Sequence, residues 1–461
     1  MSAADRSTPP PAGRPRDFAF PAFERERLPC GLELLLAPRH DVPLVEIQLQ
    51  LPAGADRNPQ MRPGLATLTA SLVDEGTDRR SGTDIAIAVE RLGGSLATGA
   101  DWNQASLEAT LLAADLATGL ELTFEVARRP TFPPEEFERL RRQAEAELLR
   151  RRDQPAVLAE EALSAALFPG TPYAHLLLGT ESTIRDLTRE QVRQFHGERY
   201  RPDGASLLVV GDFDPQAARR MVDEALAGWR SDPPPASPPL EVEMPTVRRV
   251  ILVDRPAAAQ TELRVAHPGV PRVHPDRTRL GLLNALLGGK FTSRLNLNLR
   301  ERHGFTYGAT SRFVDRRGRG PFTVGAAVAN GVAGAAVREI LFELERLRQE
   351  PVDAAELAES KTYIRGVFPY TLQTVSSVLA RMAELTLWGL PDDHFQRALE
   401  SVEATSADDL LALARRHLHP DRATIIAVGP AGELAPQLAG YGEVEVRRLD
   451  SLRADPVQEA P

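Results

Sequence analysis

Apolar and polar residues alternate through LVEIQLQL at positions 44–51, the period of a strand with one face in a core and the other toward water. Residues 107–112 have the same strand character. From 83 to 92 the spacing becomes that of a helix. A longer helical stretch at 135–152 places Leu140, Ala144, Leu148 and Leu149 on a narrow apolar stripe within a heavily charged surface. Strand-like and helical runs fall in separate groups and do not alternate as regular βαβ units, which is the α+β pattern.

The pattern then repeats. Pairing Pro202 with Pro420, 218 residues further on, aligns LTREQVRQFHGERYRPDGASLLVVG (187–211) with TSADDLLALARRHLHPDRATIIAVG (405–429) without a gap. Each copy reads as an N-cap (Thr188, Ser406), a carboxylate in the first turn, an amphipathic helix, a Pro-Asp turn and a buried strand ending at glycine. The economical account is duplication of one α/β unit. Closely spaced prolines at 231–246 are incompatible with a helix interior or central strand and predict a linker. The expected organisation is therefore a flexible Pro/Arg-rich leader (1–22), a first domain (23–230), the linker (231–246), a second domain (247–450) and a flexible tail (451–461).

Composition narrows the chemistry. The 461 residues include 55 basic and 64 acidic side chains, a net charge of −9, which argues against a dedicated nucleic-acid binder. With 42% apolar and 26% charged residues the chain can bury a sizeable core. Cys30 is the single cysteine, which excludes an intrachain disulfide and any multi-cysteine zinc site. No run approaches the roughly 20 apolar residues of a spanning helix, and the N-terminus lacks the apolar centre of a signal peptide, so a cytoplasmic location is expected.

The segment GLATLTASLVDEGT (64–77) has a helical pattern bounded by glycines and follows LPAGADRNP. It resembles the zinc-binding helix of the inverted-zincin metallopeptidases, the group of pitrilysin, insulin-degrading enzyme and the mitochondrial processing peptidase. Their H-x-x-E-H motif holds zinc through two histidines and activates water through the glutamate. In this chain the motif positions carry Thr67, Ala70 and Ser71. Glu147 stands where the family has its third ligand, although on so charged a helix the physical expectation is an ion pair with Arg151. Oxygen donors alone do not suit this borderline metal, so no metal or other cofactor is expected in this chain. A site rearranged from Asp74, Glu75 and Glu147 would suit magnesium or calcium better than hydrolytic zinc.

The resemblance continues through residues 24–230 and is most specific in LLGGKFTSRLNLNLRERHGFTYGATSRF (286–313). It implies two α+β domains, each a mostly antiparallel sheet backed by helices. It also implies that Arg300, at a helix end, and Tyr307, on the next strand, face substrate in a partner's active site. A guanidinium and a phenol are suitable donors to a developing oxyanion or to peptide carbonyls. Gly288 and Gly289 occupy the place of the family's substrate loop, without its length, and read equally as a helix stop. His417 and His419 point to different faces and form a poor metal pair. The run RRGRG (316–320) reads as a solvated loop between strands.

Two functions follow from the resemblance. In the first, the chain is the non-zinc subunit of a heterodimeric metalloendopeptidase, inactive alone, whose homologous partner carries H-x-x-E-H and zinc and which acts on peptides. In the second, it is an inactive pseudo-peptidase with a scaffolding role.

Overall fold

The computed structural model describes residues 19–448 apart from 60–61, 231, 236 and 238–239. Most of the expected leader and the whole expected tail lie outside these residues. Phe20, within the last part of that leader, stacks on Phe395 with ring centroids 5.2 Å apart.

Twelve strands form two six-stranded sheets. The first contains β1 (Glu24–Arg27), β2 (Glu33–Pro38), β3 (Leu44–Leu51), β4 (Ser95–Ala100), β5 (Ala105–Leu112) and β6 (Ser206–Gly211), in the order β1-β2-β6-β3-β5-β4. The second contains β7 (Arg249–Asp254), β8 (Gln260–Pro268), β9 (Ala309–Phe313), β10 (Pro321–Ala329), β11 (Thr424–Gly429) and β12 (Glu443–Arg448), in the order β12-β7-β11-β8-β10-β9. Antiparallel pairing dominates both, with β2–β6 parallel in the first and β7–β11 and β7–β12 parallel in the second. The outer position is filled by opposite ends of the duplicated unit, β1 before it in one half and β12 after it in the other.

The internal repeat holds residue by residue. The helices Arg189–Arg199 and Ala407–His417 are each followed by a fully buried strand, β6 and β11, at the same spacing. Both begin with a reciprocal capping box, Thr188 with Gln191 and Ser406 with Asp409. Thr188→Ala and Ser406→Ala are each expected to lower unfolding free energy by about 1 kcal/mol, measured by chemical denaturation.

Each half lends a helix to the other half's sheet. Leu158, Ala159, Ala162 and Leu163 of the helix Pro155–Leu167 share a buried cluster with Ile251, Val253, Ala266, Ile426 and Val428 of the second sheet. In return Val375, Val378, Leu379, Met382 and Ala383 of the helix Val375–Leu387 cover Leu35, Ala37, Leu208 and Val210 of the first sheet. This exchange corrects the reading of β3 as half-buried. Its polar face, Glu46, Gln48 and Gln50, is buried as well. Two of these side chains meet polar partners from the other half, Glu46 accepting from Ser376 and Gln50 from Thr386 at 2.6 Å, while Gln48 donates to Glu108 of its own sheet at 2.7 Å. Burial raises the Glu46 carboxyl above its ordinary range.

The helix Pro134–Arg151 buries Phe137, Ala144 and Leu148, while Leu149 points outward at 54% exposure. Its apolar stripe therefore runs through Phe137 and omits Leu149. The loop 314–320 between β9 and β10 is also not the solvated turn its arginines predict. The Arg316 guanidinium lies 4.6 Å above the Trp102 ring, and Arg317 reaches the fully buried Asp56 of the first half at 2.8 Å. Aromatic faces and a buried carboxylate draw in charges that would otherwise be hydrated.

Candidate functional site

The segment 64–77 forms a shorter helix than its pattern implies, Leu65–Ala70. Gly64 starts it at φ 92°, and a Cβ there would lie 2.6 Å from the Leu178 carbonyl oxygen, so only glycine fits. Hydroxyls then compete with the helical ladder. Thr69 donates back to Leu65 O at 2.8 Å and Ser71 to Thr67 O at 3.1 Å, a pattern that bends and ends helices.

At the degenerate motif the Thr67 hydroxyl donates to Leu177 O at 2.8 Å, and Ala70 is buried. Glu147 accepts from Arg150 at 2.8 Å and from Arg151 at 2.7 Å, and these two guanidiniums hold its carboxyl down to about 2. Glu75 pairs with Arg139 at 2.5 Å, and Asp74 accepts from Thr98 at 3.3 Å. These positions offer no imidazole, their hydroxyls already donate to carbonyls, and their carboxylate is held by two arginines. That donor set does not fit zinc. The Glu147 carboxyl is expected to titrate near pH 2 instead of the ordinary 4.5, read from its side-chain 13C shift. Because the folded value is the lower one, the linked stabilisation is present above pH 4.5 and is lost as pH falls toward 2.

In the second half, helical turns at Ala285–Gly289 and Asn296–Arg302 lead into the loop before β9. Buried side chains fix this wall. Arg294 makes two 2.7 Å hydrogen bonds to Glu356, Lys290 reaches Glu359 at 2.7 Å, and Asn298 donates to Glu343 at 2.8 Å. Asn296 accepts from the Ala309 amide at 3.0 Å, tying the helical segment to the first residue of β9. Gly288 allows close approach to that strand, since a Cβ would lie 2.6 Å from both Ser311 N and Oγ. Gly289 likewise lies against Asn284.

On this wall Arg300 lies 4.4 Å from the centroid of the exposed Phe291 ring, and its nearest carboxylate, Glu301, is 3.5 Å away. Tyr307 lies in the loop before β9, not on the strand, because β9 begins at Ala309. It is 93% exposed. Tyr307 is therefore not a core aromatic.

Sequence comparisons give the family, and solved structures share the fold. The chain matches the family described as Insulinase (Peptidase family M16) over residues 35–181 and the Peptidase M16 inactive domain over 186–364. This chain belongs to the insulinase family of peptidases. An uncharacterized zinc protease of Mycobacterium tuberculosis is 25% identical over 414 residues, covering 89% of this chain and 94% of that protein. One from Streptomyces coelicolor is 25% identical over 419 residues, covering 88% and 89%. A crystal structure of a peptidase M16 inactive domain from Pseudomonas fluorescens superposes with TM-score 0.82 at 24% identity, covering 88% of this chain and 98% of that one. A protease structure from Helicobacter pylori gives 0.84 at 20% identity, covering 89% and 100%. Both superpositions extend over both halves. Among the described residues no helix is long and apolar enough to cross a membrane.

Two further features escaped the sequence. Asp56 is buried with Arg57 and Arg317 from the two halves, and Asp276 lies with His274 and His417. Each joins a local pair to a residue more than 100 positions away, Arg317 or His417, for which periodicity carries no signal.

Proposed function

We propose that this insulinase-family chain is the non-zinc subunit of a heterodimeric metalloendopeptidase, presenting Arg300 and Tyr307 to peptide bound at a zinc site on its homologous partner. The observation that carries the reading is the exposure of Tyr307 beside an anchored wall, while the degenerate motif in the first half offers a metal no suitable ligand set. An exposed phenol that packs against little is poorly explained as a scaffold element, whereas a substrate-facing donor has to be accessible. Arg300 is partly exposed on the same wall. Its guanidinium lies over an aromatic face, and its one ion pair among the described residues is with Glu301 at 3.5 Å through Nε, which leaves the terminal N–H groups to donate to a carbonyl or oxyanion.

Native mass spectrometry of the chain recovered from its own cells tests the assembly. A heterodimer with one zinc per complex is the expected result. A metal-free homodimer would move the assignment to the scaffolding role.

A further inference from the structure

An open cleft of about 400 Å³ in the second half is lined by Arg319, Arg416, Arg422, His274, His417 and His419. Its size is in the range of small-molecule sites. The carboxylates beside it already have cationic partners. Asp276 accepts from His417 at 2.9 Å, from Arg416 at 3.1 Å and from Arg279, while Asp421 lies 3.5 Å from Arg422 and 3.9 Å from Arg348.

His274, Asp276 and His417 are close enough together to be considered for a metal. The surroundings argue against it. A cation would compete with two guanidiniums for Asp276 and would enter a cleft whose wall carries three more arginine and histidine donors. His274 Nδ1 already accepts the Asp276 amide at 3.1 Å, which leaves the other ring nitrogen carrying the proton in the neutral form. An anion meets the opposite conditions: guanidiniums in excess of carboxylates, with Arg416 shared with Asp276, Arg422 with Asp421 and Arg319 donating to Gly269 O at 3.3 Å, beside imidazole groups and no unpaired carboxylate among the lining residues.

His419 supplies an independent pointer. Its ring rests edge-on against the buried His267 at 5.1 Å, and its backbone amide donates to His267 Nε2 at 3.2 Å. The His419 ring nitrogens have no hydrogen-bond partner among the described residues, although the side chain is half-buried at the cleft wall. A ligand oxygen would satisfy them.

The geometry points to a binding site for an oxyanion group, carried by a small molecule and held by Arg319, Arg416, Arg422 and His419. A phosphate and a carboxylate share this chemistry, and guanidinium forks recognise both. The site is independent of the peptidase reading and needs no partner chain.

Isothermal titration calorimetry on the full chain at fixed low ionic strength tests it with two probes, inorganic phosphate and an acetylated tripeptide with a free or amidated C-terminus. Saturable one-site binding of phosphate, or of the free-acid peptide but not its amide, is expected and identifies the source of the anion. Arg422→Ala and His419→Ala should each weaken it about tenfold, the effect of losing one charge-assisted hydrogen bond. Arg397→Ala, an exposed arginine paired with Asp393 on another helix, should bind as the parent does. All three positions are at least partly exposed, so the variants should fold, as thermal melting will verify. Absence of binding by both probes, or binding unaltered in Arg422→Ala and His419→Ala, overturns the assignment. So does one-site cobalt(II) binding abolished by His417→Ala.

Discussion

In the proposed complex with a zinc-bearing partner, Arg300→Ala is expected to lower kcat about 100-fold, the loss typical of one oxyanion-stabilising donor. Tyr307→Phe should lower it as well, with zinc content unchanged in both. Arg300 has a face-on aromatic neighbour, Phe291, and no carboxylate closer than 3.5 Å. The ring orients the guanidinium and Glu301 engages Nε at 3.5 Å, which leaves the terminal N–H groups to substrate. Tyr307 is almost fully exposed, so removing its hydroxyl disturbs no packing. Arg300→Lys keeps the charge without the planar fork and should recover only part of the activity. If the double variant turned over peptide at the parent rate, the two residues would have no part in the reaction and the non-zinc-subunit role would lose its chemical basis.

The legible features of this chain are local ones. The strand at 44–51, the buried strands at 206–211 and 424–429 and the capping residues Thr188 and Ser406 are encoded within a few positions, and the structure places each as the pattern implies. The repeat made the two-half architecture readable for the same reason. What failed depends on partners far away in sequence. The polar face of β3 looks solvent-directed until the helix Val375–Leu387, over 300 residues later, is laid across it. The arginines at 316 and 317 look like a hydrated loop until Trp102 and Asp56 are beside them. At the candidate site the family resemblance singled out Arg300, Tyr307 and the degenerate zinc motif as positions to inspect. Their environments were not, since exposure at 307 depends on how the preceding loop leaves the wall.

The same long-range contacts give the largest expected effect on stability. Asp56→Ala should lower unfolding free energy by about 3–5 kcal/mol, because removing one partner of a buried ion pair leaves uncompensated charge. Asp56 is fully buried and accepts from Arg57 at 2.9 Å on its own chain segment and from Arg317 at 2.8 Å on the second half's loop. Burial dominates both sides: it raises the Asp56 carboxyl and lowers the Arg57 guanidinium, in each case against the pull of the partner. The pair is therefore worth little as attraction and costly to leave half-made. Its role is to fix one docking geometry between the halves. Asp56→Asn, which keeps an acceptor without the charge, should cost less than Ala. Arg317→Ala should lose less still, since that guanidinium can reach water. Hydrogen exchange separates this docking role from a purely local one. In Asp56→Ala, protection should fall at the amides of 316–318, where Arg317 N donates to Asn103 at 3.3 Å and Gly318 N to the Tyr173 hydroxyl at 3.4 Å. The helices at 189–199 and 407–417 should retain theirs at equal distance from the melting midpoint. Unchanged protection at 316–318 would show that Arg316, seated over Trp102 and with its own charge made easier to lose by burial, holds the loop alone.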